Sequence, residues 1–236
     1  MFVELAPEYP VVYSILKAFP ELMMLEDAFI AGGALRAIHA GEEIKDIDVF
    51  FKSEQAFKNA VKRLSDLGYE YVFKTERAIT YNSDTVPFQL ISAIYGTIEE
   101  ILLEFDFTIA KTALELRGEL TENDVDELIS HWLEKSNLNK IKPQEAIEAL
   151  NPVLIVHQDF FKHLASRRLV FTGSPMPLAS LKRAVKFLKR GYHICDEELL
   201  NLATALSEID FENEEEVQQH MEGMDPDGLR RVRLID

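Results

Sequence analysis

Residues 28–51, AFIAGGALRAIHAGEEIKDIDVFF, decide how this chain is read. An apolar run (Ala28, Phe29, Ile30, Ala31) meets the glycine pair Gly32-Gly33. A short helical pattern follows, and Asp46-Ile47-Asp48 then opens a second apolar run, Val49-Phe50-Phe51. The pattern predicts strand, helix, strand. Alternate side chains of a strand leave the same face, so Asp46 and Asp48 point together. Two carboxylates at that spacing form a hard, oxygen-rich site suited to Mg2+. Glycines at a helix start let backbone N–H groups approach a polyphosphate, and Gly32, Gly33 and Ala34 are the candidates. A phosphate cradle one strand away from a metal clamp implies phosphoryl or nucleotidyl transfer.

The chain has 236 residues, enough for one large domain or two small ones. No apolar stretch approaches the roughly 20 residues that span a membrane, and MFVELAPEYP lacks the basic-then-apolar pattern of a secretion signal. A single cysteine, Cys195, excludes an intramolecular disulfide and a cysteine-based zinc cluster, so a reducing cytoplasm is expected. The six histidines show no zinc-ligand spacing. The net charge of −16 argues against a nucleic-acid partner, but the distribution of that charge points the other way. Residues 160–195 contain no Asp or Glu and eight basic residues: Lys162, Arg167, Arg168, Lys182, Arg183, Lys186, Lys189 and Arg190. Residues 207–227 hold nine acids and no Lys or Arg. A local basic surface attracts phosphates even on an acidic protein, although solvated helix faces would give the same pattern.

Strands are expected near 28–31, 46–51, 69–74, 77–82, 86–91 and 104–109. Ser53 caps an expected helix over 53–66 that Gly68 ends, and Thr97 with Glu100 reads as a capping box. From about residue 121 the pattern turns helical: 121–134 (with Trp132 in the core), 143–150, 157–166, 177–190 and 196–209. On 177–190 an apolar stripe of Leu178, Leu181, Val185 and Leu188 is expected to face the core. The expected architecture is α+β: a mixed-sheet head over 1–120 and an all-helical part over 121–236.

Gly32-Gly33-Ala34-Leu35-Arg36, followed by Lys45-Asp46-Ile47-Asp48-Val49, resembles the DNA polymerase β-like nucleotidyltransferase superfamily. Within it the nearest likeness is to the tRNA CCA-adding enzyme and bacterial poly(A) polymerase branch, with Gly41 matching its helix-ending glycine. FQLI (88–91) and EEILLEFDFTIA (99–110) resemble phage and large-virus members. The segment 166–187, with SRRLV and LKRAVKF, resembles the stretch after the catalytic head. The likeness breaks in three places. Ala37 stands where the family has Asp after the arginine, Pro175-Met176-Pro177 stands where a base-selecting motif belongs, and the tRNA-holding tail domains are short or missing.

The resemblance implies transfer of NMP from an NTP to an RNA 3′ hydroxyl, with tRNA as the candidate acceptor and pyrophosphate leaving. It implies two Mg2+ ions, held by Asp46, Asp48 and a third carboxylate on a neighbouring strand. Asp106 is preferred for that role over Asp84 and Glu104, and doubles as candidate base; the plainer alternatives are a turn cap or a pair with Lys111. Arg36 or Lys45 could add charge at the phosphates, and Arg36 could instead hold the two motifs together. Arg167, Arg168, Lys182, Arg183 and Lys186 are candidates for the incoming base or the acceptor. The rival readings are a protein or small-molecule acceptor, or an inert nucleotide- or RNA-binding module.

Overall fold

The computed structural model describes residues 1–83, 85–118 and 147–222, which fall into two compact units. The helix expected over 121–134 with Trp132, the first half of that over 143–150, the candidate Asp84 and the acids beyond 222 lie outside the described residues. No described helix is long and apolar enough to cross a membrane.

The first unit comprises residues 1–103 and 110–158 and is built on one eight-stranded sheet. Its strands are β1 (Phe2–Leu5), β2 (Ala28–Ala31), β3 (Ile47–Phe51), β4 (Tyr71–Lys74), β5 (Ala78–Tyr81), β6 (Phe88–Tyr95), β7 (Thr112–Leu116) and β8 (Pro152–His157). The spatial order is β1-β8-β7-β2-β3-β6-β5-β4. Only β3 and β6 run parallel, so the sheet is mixed, as expected.

Helices of this unit include α1 (Tyr9–Ala18), α2 (Gly33–Ala40), α3 (Glu54–Asp66) and α4 (Ile98–Leu103). Ile47, Val49 and Phe51 alternate onto one face of β3 and are fully buried beside Phe88 and Leu90 of β6. Aromatic rings close over that face: Phe19 lies 4.5 Å and Tyr81 5.1 Å from Phe88, and Phe57 of α3 lies 5.6 Å from Phe51. Tyr69 donates a hydrogen bond to Glu21 beneath the same cluster. Offset and edge-on rings add to the area each one buries.

Local signals set the helix ends. Ser53 Oγ accepts from the Ala56 N–H at 3.1 Å, and Ser53→Ala should lower stability by about 1 kcal/mol, read in a denaturant titration. Thr97 and Glu100 form the reciprocal box: the Thr97 N–H donates to Glu100 Oε2 at 2.8 Å and the Glu100 N–H to Thr97 Oγ1 at 3.3 Å. Gly41 (φ 65) ends α2 in the left-handed region that favours glycine.

Three strands of this sheet, β1, β7 and β8, lie outside those expected. β7 and β8 lie side by side within it, so the first unit reaches Gln158 where a break at 120 was expected. Near their pairing, the buried Glu115 accepts from Lys52 at 2.5 Å and from Arg117 at 2.6 Å. Burial pushes the Glu115 carboxyl up, but the two cationic donors outweigh it and hold it below its ordinary 4.5.

The second unit comprises residues 104–109 and 159 onward. It holds α5 (Phe160–Ala165), α6 (Pro177–Leu188), α7 (Asp196–Ser207) and α8 (Glu214–Glu222). It is not all helical: β9 (Arg168–Leu169) and β10 (His193–Ile194) form a short parallel ribbon. Phe107 is fully buried against Phe171 at 5.9 Å and Phe187 at 6.2 Å. The strand expected over 104–109 does not form. The segment is tied by Phe107 to Phe171 through one bridge, by the Thr108 N–H to the Val170 carbonyl, and by the Thr172 N–H to the Asp106 carbonyl. It then turns through a 3-10 helix at Thr108–Ala110.

On α6 three of the four residues of the expected apolar stripe face outward, and the fourth, Leu178, is half-buried. Leu181, Val185 and Leu188 are 37–43% exposed, while Ala179, Ser180, Ala184 and Phe187 are buried. Small residues allow close backbone approach there, and a pattern read from large side chains misses them.

His163, buried in α5, shares a hydrogen bond with Thr108 at 2.8 Å, and burial lowers its pKa below the ordinary 6.5. The signs for His163 and Glu115 agree. Each has a depressed folded pKa, so its contribution is complete above the ordinary value and lost as pH falls through the folded one. Melting temperature at fixed ionic strength should therefore drop below pH 6.5 and again below pH 4.5, and Glu115→Gln should make the second step smaller.

Candidate functional site

Gly32 links β2 to α2 with φ 80 and ψ −116, a region only glycine occupies readily. Its own N–H donates to the Thr112 carbonyl at 2.8 Å, so it is committed to the sheet and does not face a phosphate. The first helical bond of α2 runs from the Arg36 N–H to the Gly32 carbonyl. Gly33, Ala34 and Leu35 thus carry the N–H groups that a first helical turn leaves without intrahelical acceptors. Gly33 is exposed, and a Cβ built on it meets nothing within 4 Å. Leu35 is not among the residues expected from sequence; counting the first turn from the glycine cap would include it.

Asp48 is half-buried on β3 and Asp46 is exposed, one residue before the strand. The pairing of β2 with β3 (Ala28↔Phe51, Phe29↔Phe50, Ile30↔Val49) brings the start of α2 to the Asp48 end of β3. Arg36 is buried and paired with Glu42 at 2.7 Å, which braces the turn between α2 and β3. Of the two roles open to Arg36, the geometry favours holding the motifs together. Lys45 is exposed.

Asp106 lies in the second unit. It is 4% exposed, and its Oδ2 accepts from Arg183 Nε at 2.6 Å. Lys111, the other partner considered, donates to the Leu103 carbonyl at 2.9 Å. The position beside Asp48 on the neighbouring strand β6 is Gln89. Gln89 escapes a motif search because an amide does not register as a metal ligand. The alternation of Phe88 and Leu90, both buried, with polar Gln89 between them is the signal that could have found it.

Several of the expected basic residues are engaged within the second unit. Arg167 adopts a left-handed φ of 51, accepts from the His193 N–H at 2.8 Å and donates Nη1 to the Arg190 carbonyl at 3.1 Å. Arg168 Nη2 lies 3.5 Å from Cys195 Sγ, and Arg183 holds Asp106. Lys182 and Lys186 are exposed on α6.

Mg2+ keeps several waters and takes one or two carboxylates plus substrate phosphates, and Asp46 and Asp48 are the two carboxylates here that could serve such an ion. Among the described residues, no group of three or more His, Cys, Asp or Glu is placed to hold a metal.

A family model described as Gabija anti-defense 2 family protein matches residues 10–167, more than half of the chain. The chain belongs to the Gabija anti-defense 2 family. It is 22% identical over 206 residues to the Gabija anti-defense 2 protein of Bacillus phage SPbetaL7, covering 86% of this chain and 43% of that one. It is 30% identical over 99 residues to a CC-adding tRNA nucleotidyltransferase of Halalkalibacterium halodurans, covering 41% and 24%. The chain therefore spans less than half the length of either relative. Among solved structures, a CCA-adding enzyme in complex with ATP superposes with a TM-score of 0.56 at 18% identity, over 94% of this chain and 51% of that one. A Thermotoga maritima CCA-adding enzyme complexed with tRNA gives 0.53 at 16% identity, over 98% and 53%. The mixed-sheet part of this family member thus has the fold of a nucleotidyltransferase head.

Proposed function

We propose that the protein is a nucleotidyltransferase that moves NMP from an NTP to an RNA 3′ hydroxyl, with tRNA as the leading acceptor, and that the transfer acts against a host defence. One observation carries the reading: the N–H groups of Gly33, Ala34 and Leu35 open α2 beside the strand that bears Asp48. Those groups take the charge of the terminal phosphates, and Lys45 adds a positive charge near them. A divalent cation held by Asp46 and Asp48 would neutralise the triphosphate and the charge that builds as pyrophosphate leaves. Arg36 and Glu42 keep phosphate turn and carboxylate strand at fixed spacing. Within the second unit, the exposed Lys182 and Lys186 add positive charge that would raise affinity for RNA in general. The reaction would take place in the cytoplasm of an infected bacterial cell.

A second acceptor, a hydroxyl on a host defence protein, is favoured by the name of the phage relative and by the internal engagement of Arg167, Arg168 and Arg183. Incubation with each α-labelled NTP, divalent cation, total RNA and host protein extract separates the possibilities. Label at RNA 3′ ends supports the proposal, and label on protein transfers it to the second acceptor. No label with any of the four NTPs overturns both and leaves an inert nucleotide-binding module.

A further inference from the structure

We infer that the Asp46/Asp48 site holds one divalent cation where the resemblance of its sequence motifs implies two, and that Gln89 sets this limit. The inference rests on the reading of Asp46 and Asp48 as ligands of a phosphate-bound cation.

Neighbouring strands of a sheet lie about 4.8 Å apart, and residues in register put their side chains on the same face. The register assigns Gln89 to Asp48 between β6 and β3, Thr80 to Gln89 between β5 and β6, and Ala113 to Ala31 between β7 and β2. One step beyond the Ile30↔Val49 pair, Ala31 comes beside Asp48. Around Asp48 the row therefore reads Thr80, Gln89, Asp48, Ala31, Ala113, and it continues through Ile155 to Glu4 on the edge strand β1. Asp48 is the one ionisable member of those five; Glu4 stands four strands away and is paired with Arg117. The next row on that face contains Phe50 and Phe29, stacked at 5.9 Å, and then Glu115, whose carboxylate is already held by Lys52 and Arg117. Asp106 is held by Arg183 within the second unit.

Charge makes the difference decisive. One dication against two carboxylates is neutral before the nucleotide arrives. A second dication a few ångströms away repels the first, and only an added carboxylate or further phosphate offsets it. Gln89 has nearly the shape of glutamate but brings a neutral amide, whose oxygen can coordinate weakly and whose N–H groups can reach a phosphate. The strand geometry for a third carboxylate is thus present, with the charge removed.

The test counts Mn2+ by electron paramagnetic resonance, using the full chain and a non-hydrolysable α,β-methylene ATP. One Mn2+ per chain in the native protein and two in Gln89→Glu is the expected result. Two in the native protein overturn the inference, and that count stands whatever the stability of the variant. One in both proteins overturns the role given to Gln89. No bound Mn2+ in either overturns the underlying reading of Asp46 and Asp48 as well, which separates the two failures.

Discussion

Asp48→Asn should leave the protein folded and lower NMP incorporation by about a thousandfold. Cation stabilisation of a transferring phosphoryl group is worth several kcal/mol, and each 1.36 kcal/mol on the barrier is a factor of ten. Asparagine keeps the shape of the side chain and loses its charge, and Asp48 sits on the face of β3 opposite the buried Ile47, Val49 and Phe51. The melting curve should therefore superpose on that of the native protein while labelled product disappears. Retention of more than a tenth of the native rate would show that this carboxylate does not carry the chemistry. Asp46→Asn should behave alike, because a site with two charged ligands has no spare.

Arg183→Met should cost about 3 kcal/mol of stability, measured by urea titration. The Asp106 carboxylate is buried, and Arg183 Nε at 2.6 Å is the cation that meets it. Removing one partner of a buried pair leaves a charge with no compensation, a loss of about 3–5 kcal/mol, and partial exposure of Arg183 places this case at the lower end. The double variant Asp106→Asn, Arg183→Met should recover most of the loss, since no isolated charge remains. Asp106→Asn alone should then keep incorporation within a few-fold of native. If it instead abolishes incorporation with a normal melting curve, Asp106 acts in the chemistry and the two-ion arrangement returns with it.

Legibility in the sequence follows how locally each feature is determined. Ala28 to Phe51 can be read because a glycine with positive φ, a glycine cap at Gly41 and an acid pair at strand spacing all lie within 24 consecutive positions. Ser53 and the Thr97–Glu100 box are equally plain, since a cap is made by residues three apart. β7 and β8 escape such a reading, because strands buried among neighbours lose the polar alternation that marks an exposed strand. The segment 104–109 looks like a strand from its alternating Phe105, Asp106 and Phe107. Its partners, Val170, Thr172 and Arg183, come from more than sixty positions away, and no local pattern announces them. The basic block suffers likewise: composition shows where charge is concentrated but not that Arg167 and Arg183 spend theirs on a carbonyl and on Asp106.

The pairing of β1 with β8 has a consequence for how the chain is made. Phe2 lies opposite His157, and β8 also completes the flank of β7. A ribosome must therefore deliver residue 157 before the first strand finds its neighbour, and until then β7 presents an open edge of apolar side chains. Such distant pairings slow folding, because a long loop must close before any contact rewards it. A fragment ending near residue 120 would keep Asp46, Asp48 and Gln89 yet lack the strand that seals their sheet. The sheet that carries Asp48 is thus completed late in synthesis, and a shortened form of this first unit should be cut no earlier than Gln158.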